Sequence, residues 1–424
     1  MPDPAQGAPG LRLHRWRDLA VVGTALAAFA SGFGQFGAVA ALGDVARAFG
    51  HASHGATLAE QAGLSGTELG LGLAVIRLAS LGGLPVAGTA DRFGRRRLLL
   101  LTVAAGLLLT AVAAASPGYW WFVVIFACGR PLLSATNAVA QVMAAEQTGA
   151  ADRAKAVALV AAGYGVGAGL TAVIHGLAGA IGFRGVFALA LVPLALLPLL
   201  SAWISEPDRF AVAAAATDHP LPVLGAVGRR FRGRLAVLLA LAFAVSVITG
   251  PANSFVFLYA QNVRHLPGVV TAAMVVGAGA TGLAGLLIGR WMADHVGRRP
   301  TGVVGMAGMA MCGTLAYSGS RPALVVGYVL GVLAGSVFAP AAGALVNELF
   351  PTAVRASVAG WWVVSGVLGA VVGLVSFGAV ADVGNRFAWA AAVTFLPTAA
   401  AGALFFLVPE TAGREPEEVS ERAG

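Results

Sequence analysis

A chain of 424 residues that is 58% hydrophobic and 11% charged, with mean hydropathy +0.83, carries more apolar surface than a soluble core can absorb. Its charges cluster between long apolar runs, so the formal net charge of +8 points to loops facing acidic lipid headgroups and not to nucleic acid. The only two cysteines, Cys128 and Cys312, sit inside apolar runs, which excludes a disulfide framework and a zinc site.

An apolar run of about 20 residues is what a helix needs to cross the hydrocarbon core. Backbone polar groups cannot be left unpaired in lipid, so each run is expected to be helical. A basic start with Arg12, Arg15 and Arg17 leads into the first run, 19–42, long enough to stay in the membrane as a span and not be cleaved as a signal peptide. Spans two to six follow at 66–88, 98–116, 119–145, 154–178 and 182–203. A loop bearing Arg209, Arg229, Arg230 and Arg232 comes next, and then spans seven to twelve at 234–258, 268–290, 302–318, 322–346, 356–380 and 387–408. The expected fold is all-α and integral to the membrane: twelve transmembrane helices in two pseudo-symmetric six-helix halves. The expected division is an N-terminal bundle over 1–204, a cytoplasmic central loop over 205–233, and a C-terminal bundle with a short tail over 234–424.

With the amino terminus inside, about 20 of the 27 Lys and Arg residues lie on the cytoplasmic side, as the positive-inside rule asks. The outer loops keep Arg47, Arg184, Arg264, Arg321 and Arg386. An even number of spans makes both termini cytoplasmic, in the cell membrane.

The two halves repeat. ADRFGRRR at 90–97 recurs as ADHVGRRP at 293–300, with Asp91 and Asp294 about 203 positions apart. At almost the same offset, Glu146 and Arg153 in EQTGAADRA recur as Glu348 and Arg355 in ELFPTAVRA. Two independent matches at one offset indicate two six-span halves joined in parallel.

These residues resemble the major facilitator superfamily of secondary transporters, and the resemblance covers nearly the whole length. GTADRFGRRR is similar to the family signature between spans two and three; Asp91, Arg92, Gly94, Arg95 and Arg96 match it, while Ala87 holds the slot of its first glycine. In the second copy Arg290 stands at the glycine slot and His295 at the basic one, before Arg298. ELFPTAVRA resembles the loop into span eleven, and PETAGRE at 409–415 resembles the closing motif of sugar and metabolite porters. The resemblance implies alternating access, function as a monomer, and a gating role for these loops. By it, Asp91 would meet the start of span eleven near Arg355, and Asp294 the start of span five near Arg153. The alternative is a stop-transfer cluster, which explains the arginines but not two matched acids. Gly94 allows the tight turn.

An ionisable residue in mid-span is expensive in lipid and marks function. Arg77 lies about halfway along span two and Arg130 about halfway along span four. Arg130 resembles the arginine of the family's span-four motif, with Ser134 in place of its glycine. Arg130, Ser134, Asn137 and Gln141 recur at i, i+4, i+7 and i+11, one helical face, and Pro131 is expected to kink the helix there. The alternative for each arginine is a packing residue bonded to backbone carbonyls. Gln35, Tyr164, His175 and Asn253 complete the candidate substrate contacts, against the alternative of ordinary interhelical hydrogen bonds. Gly327, Gly331, Gly335, Gly369 and Gly373 read as packing glycines. No Asp or Glu lies in mid-span, and Glu68 is about 14 Å from Arg77 along a helix.

Two guanidinium groups without carboxylates favour an anion. The expected function is therefore secondary transport of a small organic anion or carboxylate-bearing metabolite, with no enzymatic activity, no cofactor and no metal. Its partners are the solute and the bilayer. Coupling to a proton gradient, as in a symporter, would use His175, Glu68, Asp44 or the substrate. The alternatives are proton-antiport efflux of hydrophobic compounds, disfavoured by the missing mid-span acid, and a membrane sensor that transports nothing.

Overall fold

A computed structural model describes residues 13–51, 58–178, 181–207, 231–383 and 386–414. Among them the chain is helical and forms no β-strand. Eleven of these helices are long and apolar enough to cross a membrane. A further helix, Arg298–Ala316, takes the ninth position in chain order; it opens on two arginines and is diluted by Gly302, Gly305, Gly308 and Gly313.

Several spans are broken, and proline explains most of the breaks. Span two, Gly66–Phe93, passes from helix into a 3-10 turn at Ser80–Gly82 and a short helix Gly83–Gly88. Pro85 has no N–H to continue the ladder, and the Gly82–Gly83 pair resists bending least. Span six, Gly182–Trp203, divides into three pieces around Pro193 and Pro198. Span one ends at Ala40, and an amphipathic helix, Leu42–Phe49, follows after one residue. Span four continues through Pro131 as one 29-residue helix, Tyr119–Gln147.

Two compact units emerge. The first comprises residues 1–38 and 79–220; the second comprises 39–78 and 221–424. The first unit packs Val21, Leu99, Val139, Met143, Val160 and Ile204 into a core of small and branched side chains. Gly163 and Gly167 lie against the backbone of Ala25 and Phe29, so spans one and five touch main chain to main chain. The second unit is built on rings: Tyr259 and Phe387 are 4.8 Å apart, Tyr317 and Phe377 5.0 Å, and Phe377 and Phe395 5.6 Å. Offset and tilted rings at such distances add to the burial they already supply.

Grouping 39–78 with the C-terminal helices departs from the sequential division expected from the sequence. The cause is local. Asp382, at the end of span eleven, accepts hydrogen bonds from the N–H and hydroxyl of Thr67, the former at 2.8 Å, and from the N–H of Gly66. That carboxylate caps the first turn of span two. A Cβ on Gly70 would meet the Leu374 carbonyl at 2.5 Å, so only glycine lets the two helices lie this close. Asn262 adds a bond to the Gly43 carbonyl at 3.4 Å. Of the expected central loop, 208–230 lies outside the described residues.

The glycines divide into two kinds. Gly327, Gly369 and Gly373 press on neighbouring backbone, as packing glycines do. Gly331 and Gly335 do not: a Cβ there would first meet side-chain atoms at 3.7 and 3.3 Å, and both residues line a cavity. Reading all five as packing residues is thus corrected for these two.

Candidate functional site

The repeated loop motifs fold into two matching charge clusters. In the first unit Asp91 pairs with Arg95 at 3.0 Å, and Arg95 also pairs with Glu146 from the end of span four. In the second, Asp294 pairs with Arg298 at 3.0 Å, and Arg298 reaches Glu348 at 3.2 Å. Gly94 has φ 87° and Gly297 φ 120°, conformations that side-chain-bearing residues rarely adopt, and each turn aims the following helix at its acid. Arg153 and Arg355 bond to backbone at non-equivalent places, their Nε atoms donating to the carbonyls of Ala145 and Phe350 at 3.2 and 3.0 Å. Arg92 is exposed.

Two further acids complete these clusters, Glu206 and, within PETAGRE, Glu410. Glu206 accepts the backbone N–H of Arg95 at 2.7 Å and of Arg96 at 2.9 Å, capping span three. Arg96 in turn ties its guanidinium to the carbonyls of Ile204 and Ser201, each at 2.7 Å. Glu410 does the same for span nine, accepting from Arg298 at 2.9 Å and Arg299 at 3.0 Å, and from Thr411 and Ala412. Burial works to raise the Glu410 carboxyl, but the backbone N–H groups of Arg299, Arg298, Ala412 and Thr411 outweigh it and hold the group below the usual carboxylate range. The available signal was an acid next to a proline at the end of each half, in Ser205-Glu206-Pro207 and Pro409-Glu410-Thr411.

The polar stripe of span four meets spans one and five at Gln35. The Gln35 carbonyl lies 3.4 Å from Arg130 Nη1, and its side-chain oxygen accepts from the Tyr164 hydroxyl at 3.4 Å. Its amide donates to Ser31 Oγ at 2.7 Å, and Ser31 donates to the Leu133 carbonyl at 2.7 Å. Gln35 is buried while Arg130 and Tyr164 are half-buried, so a polar group is held in the interior of an otherwise apolar bundle. Asn137 joins it along the helix, its buried Oδ1 lacking a hydrogen-bond partner among the described residues. The Ser134 Cβ packs on Gly83 of span two, where an added methyl would come to 2.8 Å. The small residue of that contact is supplied by Gly83.

His175 is buried farther along span five, beyond Thr171, whose hydroxyl donates to the Phe33 carbonyl at 3.0 Å. Arg77 is exposed and belongs to the second unit. Asn253, in that unit too, lines a cavity of about 230 Å³ with Thr249, Tyr328, Ser336, Gly331 and Gly335.

Two related helical halves, matched charge clusters at corresponding loops and polar groups held inside apolar helices define a polytopic membrane transporter. The Major Facilitator Superfamily model matches residues 24–313 and 278–423, and the chain belongs to that family. It is accordingly a multi-pass membrane transporter acting on small molecules, and not an enzyme. Among solved structures, the inward-open xylose transporter XylE from E. coli is similar at a TM-score of 0.73 and 19% identity, covering 94% of this chain and 98% of that one. The nucleoside transporter NupG is similar at 0.70 and 14%, covering 92% and 98%. A bacterial homologue of the human lysosomal transporter Spinster is similar at 0.71 and 15%, covering 98% and 99%. At such identities the likeness shows the fold alone. No curated protein sequence matches the chain.

Proposed function

We propose that the chain carries a small organic anion, bearing a carboxylate, across the cell membrane by alternating access. Arg130 carries this reading. It stands in mid-helix, half-buried beside Gln35 and Tyr164, and residues 19–40, 119–145 and 154–177 of the three helices concerned contain no Asp or Glu. A guanidinium in that setting offers paired N–H donors to a carboxylate, and substrate charge offsets its own. Gln35, Tyr164 and Asn137 orient the solute, and Ser134 keeps span two close. His175, buried farther along span five, is a further contact of the same unit.

The paired clusters at Arg95 and Arg298 act in the conformational cycle, with Asp91 and Asp294 half-exposed and able to take other partners. Both termini are cytoplasmic and the protein works as a monomer. Efflux of hydrophobic cations is the competing reading. One experiment separates them: thermal stabilisation of the purified protein by a panel of carboxylates, sugars, amino acids and lipophilic cations, in wild type and Arg130→Gln. The expected result is stabilisation by one carboxylate class that is lost in the variant. Stabilisation by lipophilic cations, equal in both proteins, would turn the function to efflux and make Arg130 structural.

A further inference from the structure

Helix Arg298–Ala316 begins at the charge cluster of the second unit, so the turn at Tyr317–Gly319 lies at the opposite end of that bundle. Span seven finishes at this end in an irregular way. Its α-helix gives way to a π turn at Tyr259–Val263, closed by Arg264 N–H on the Tyr259 carbonyl at 2.9 Å. The next residue, His265, has φ 51°, the only non-glycine residue with positive φ among those described. π turns and left-handed side-chain-bearing residues gather where a chain is held in a particular shape for a purpose.

Here that shape places an arginine. Arg264 and Arg386 line a cavity of about 320 Å³ whose walls include Tyr259, Tyr317 and Trp389. No carboxylate lines it among the described residues. Arg264 Nε is buried and has no hydrogen-bond partner among them. A third arginine, Arg321, donates its Nε to the Arg264 carbonyl at 3.0 Å and fixes the backbone from which Arg264 extends. Arg264, Arg321 and Arg386 are three of the five basic residues that break the positive-inside pattern, and the fold collects them at one place.

We propose that this cavity is an anion-binding site separate from Arg130, taking a carboxylate or phosphate group attached to an apolar or aromatic body. Two guanidinium groups supply the charge-assisted donors. The tyrosines and Trp389 supply a flat apolar wall, with Trp389 58% exposed at the rim. The same chemistry comes from a dissolved aromatic carboxylate or from an anionic lipid headgroup.

The full-length protein carrying Arg130→Gln isolates the question, since any anion site that remains is not the one proposed above for the transported solute. Two probes are used in this background: benzoate, read by thermal shift, and phosphatidylglycerol against phosphatidylcholine, read as lipid retained in native mass spectrometry. Arg264→Gln and Arg386→Gln are then added singly. Arg386 is exposed, so its substitution leaves folding intact even if that of Arg264 does not. Saturable stabilisation by benzoate, weakened about 10- to 100-fold by Arg386→Gln, supports the site with a dissolved source. Preferential retention of phosphatidylglycerol, abolished by Arg386→Gln, supports it with a headgroup source. If neither probe binds, or binding is the same with and without Arg386→Gln, the proposal is wrong.

Discussion

Glu206 and Glu410 show how much a single carboxylate can organise at a helix start. Each accepts N–H groups that the first turn of a helix leaves unpaired, and each meets the positive end of the helix dipole. Each takes two such donors, and Glu410 also holds the N–H groups of Thr411 and Ala412 beside it, so Glu410→Gln should lower the unfolding free energy by about 0.5–2 kcal/mol and Glu206→Gln by less. Chemical denaturation of the two variants in one detergent measures the order. The lowered pKa of Glu410 has a definite sign: its contribution is full above the unfolded carboxylate pKa of about 4.3 and is lost as pH falls through the lower folded value. Stability measured from pH 7 to pH 3 should decline in the acid part of that range, and less so in Glu410→Gln. A decline of equal size in the variant would assign the acid sensitivity to other groups. The motif acids Asp91 and Asp294 could be read in the sequence because each recurs in a matching context. Glu206 and Glu410 also stand about 204 positions apart, each beside a proline, but which backbone N–H groups they take, two for Glu206 and four for Glu410, is set only by the fold.

At the scale of elements, apolar length finds the spans, and proline accounts for the breaks in spans two and six. The arrangement of 39–78 does not follow from either. It depends on Asp382, a residue at the end of a span with no motif around it, whose meaning comes from the Gly66–Thr67 turn more than 300 positions away. Asp382→Ala should therefore loosen one element selectively. Hydrogen exchange of the amides of Gly66, Thr67 and the following turn should accelerate, while those of helix Arg298–Ala316 stay protected; uniform acceleration would make Asp382 a general stability residue. Glycine makes a second test at this scale. An Ala at Gly327 would bring its Cβ to 2.5 Å from the Ala316 nitrogen, whereas at Gly343 it would meet nothing within 4 Å. Gly327→Ala should cost about 1–3 kcal/mol and Gly343→Ala should be neutral or slightly stabilising. The even spacing of Gly327, Gly331 and Gly335 suggested one role for all three. Spacing reports which face of a helix a glycine occupies, and not whether a neighbouring helix or a cavity lies beyond it.

For the whole molecule, the halves, the polytopic class and the transporter family were all legible from hydropathy and from the doubled motifs, because both are properties of the chain that survive without coordinates. The polar interior was legible in part. The stripe on span four singles out Arg130, Ser134 and Asn137, and Gln35 stands out as a polar residue in span one, but their meeting at Gln35 needed the packing of spans one, four and five. The central claim is that Arg130 neutralises a carboxylate during transport. It is tested most directly by reconstituting wild type, Arg130→Lys and Arg130→Gln into proteoliposomes and measuring uptake of the carboxylate that best stabilises the purified protein, with and without an imposed proton gradient. The account predicts uptake reduced at least about 10- to 100-fold in Arg130→Gln and partly kept in Arg130→Lys, because charge is retained but the paired donors are not. Uptake by Arg130→Gln equal to wild type would contradict it.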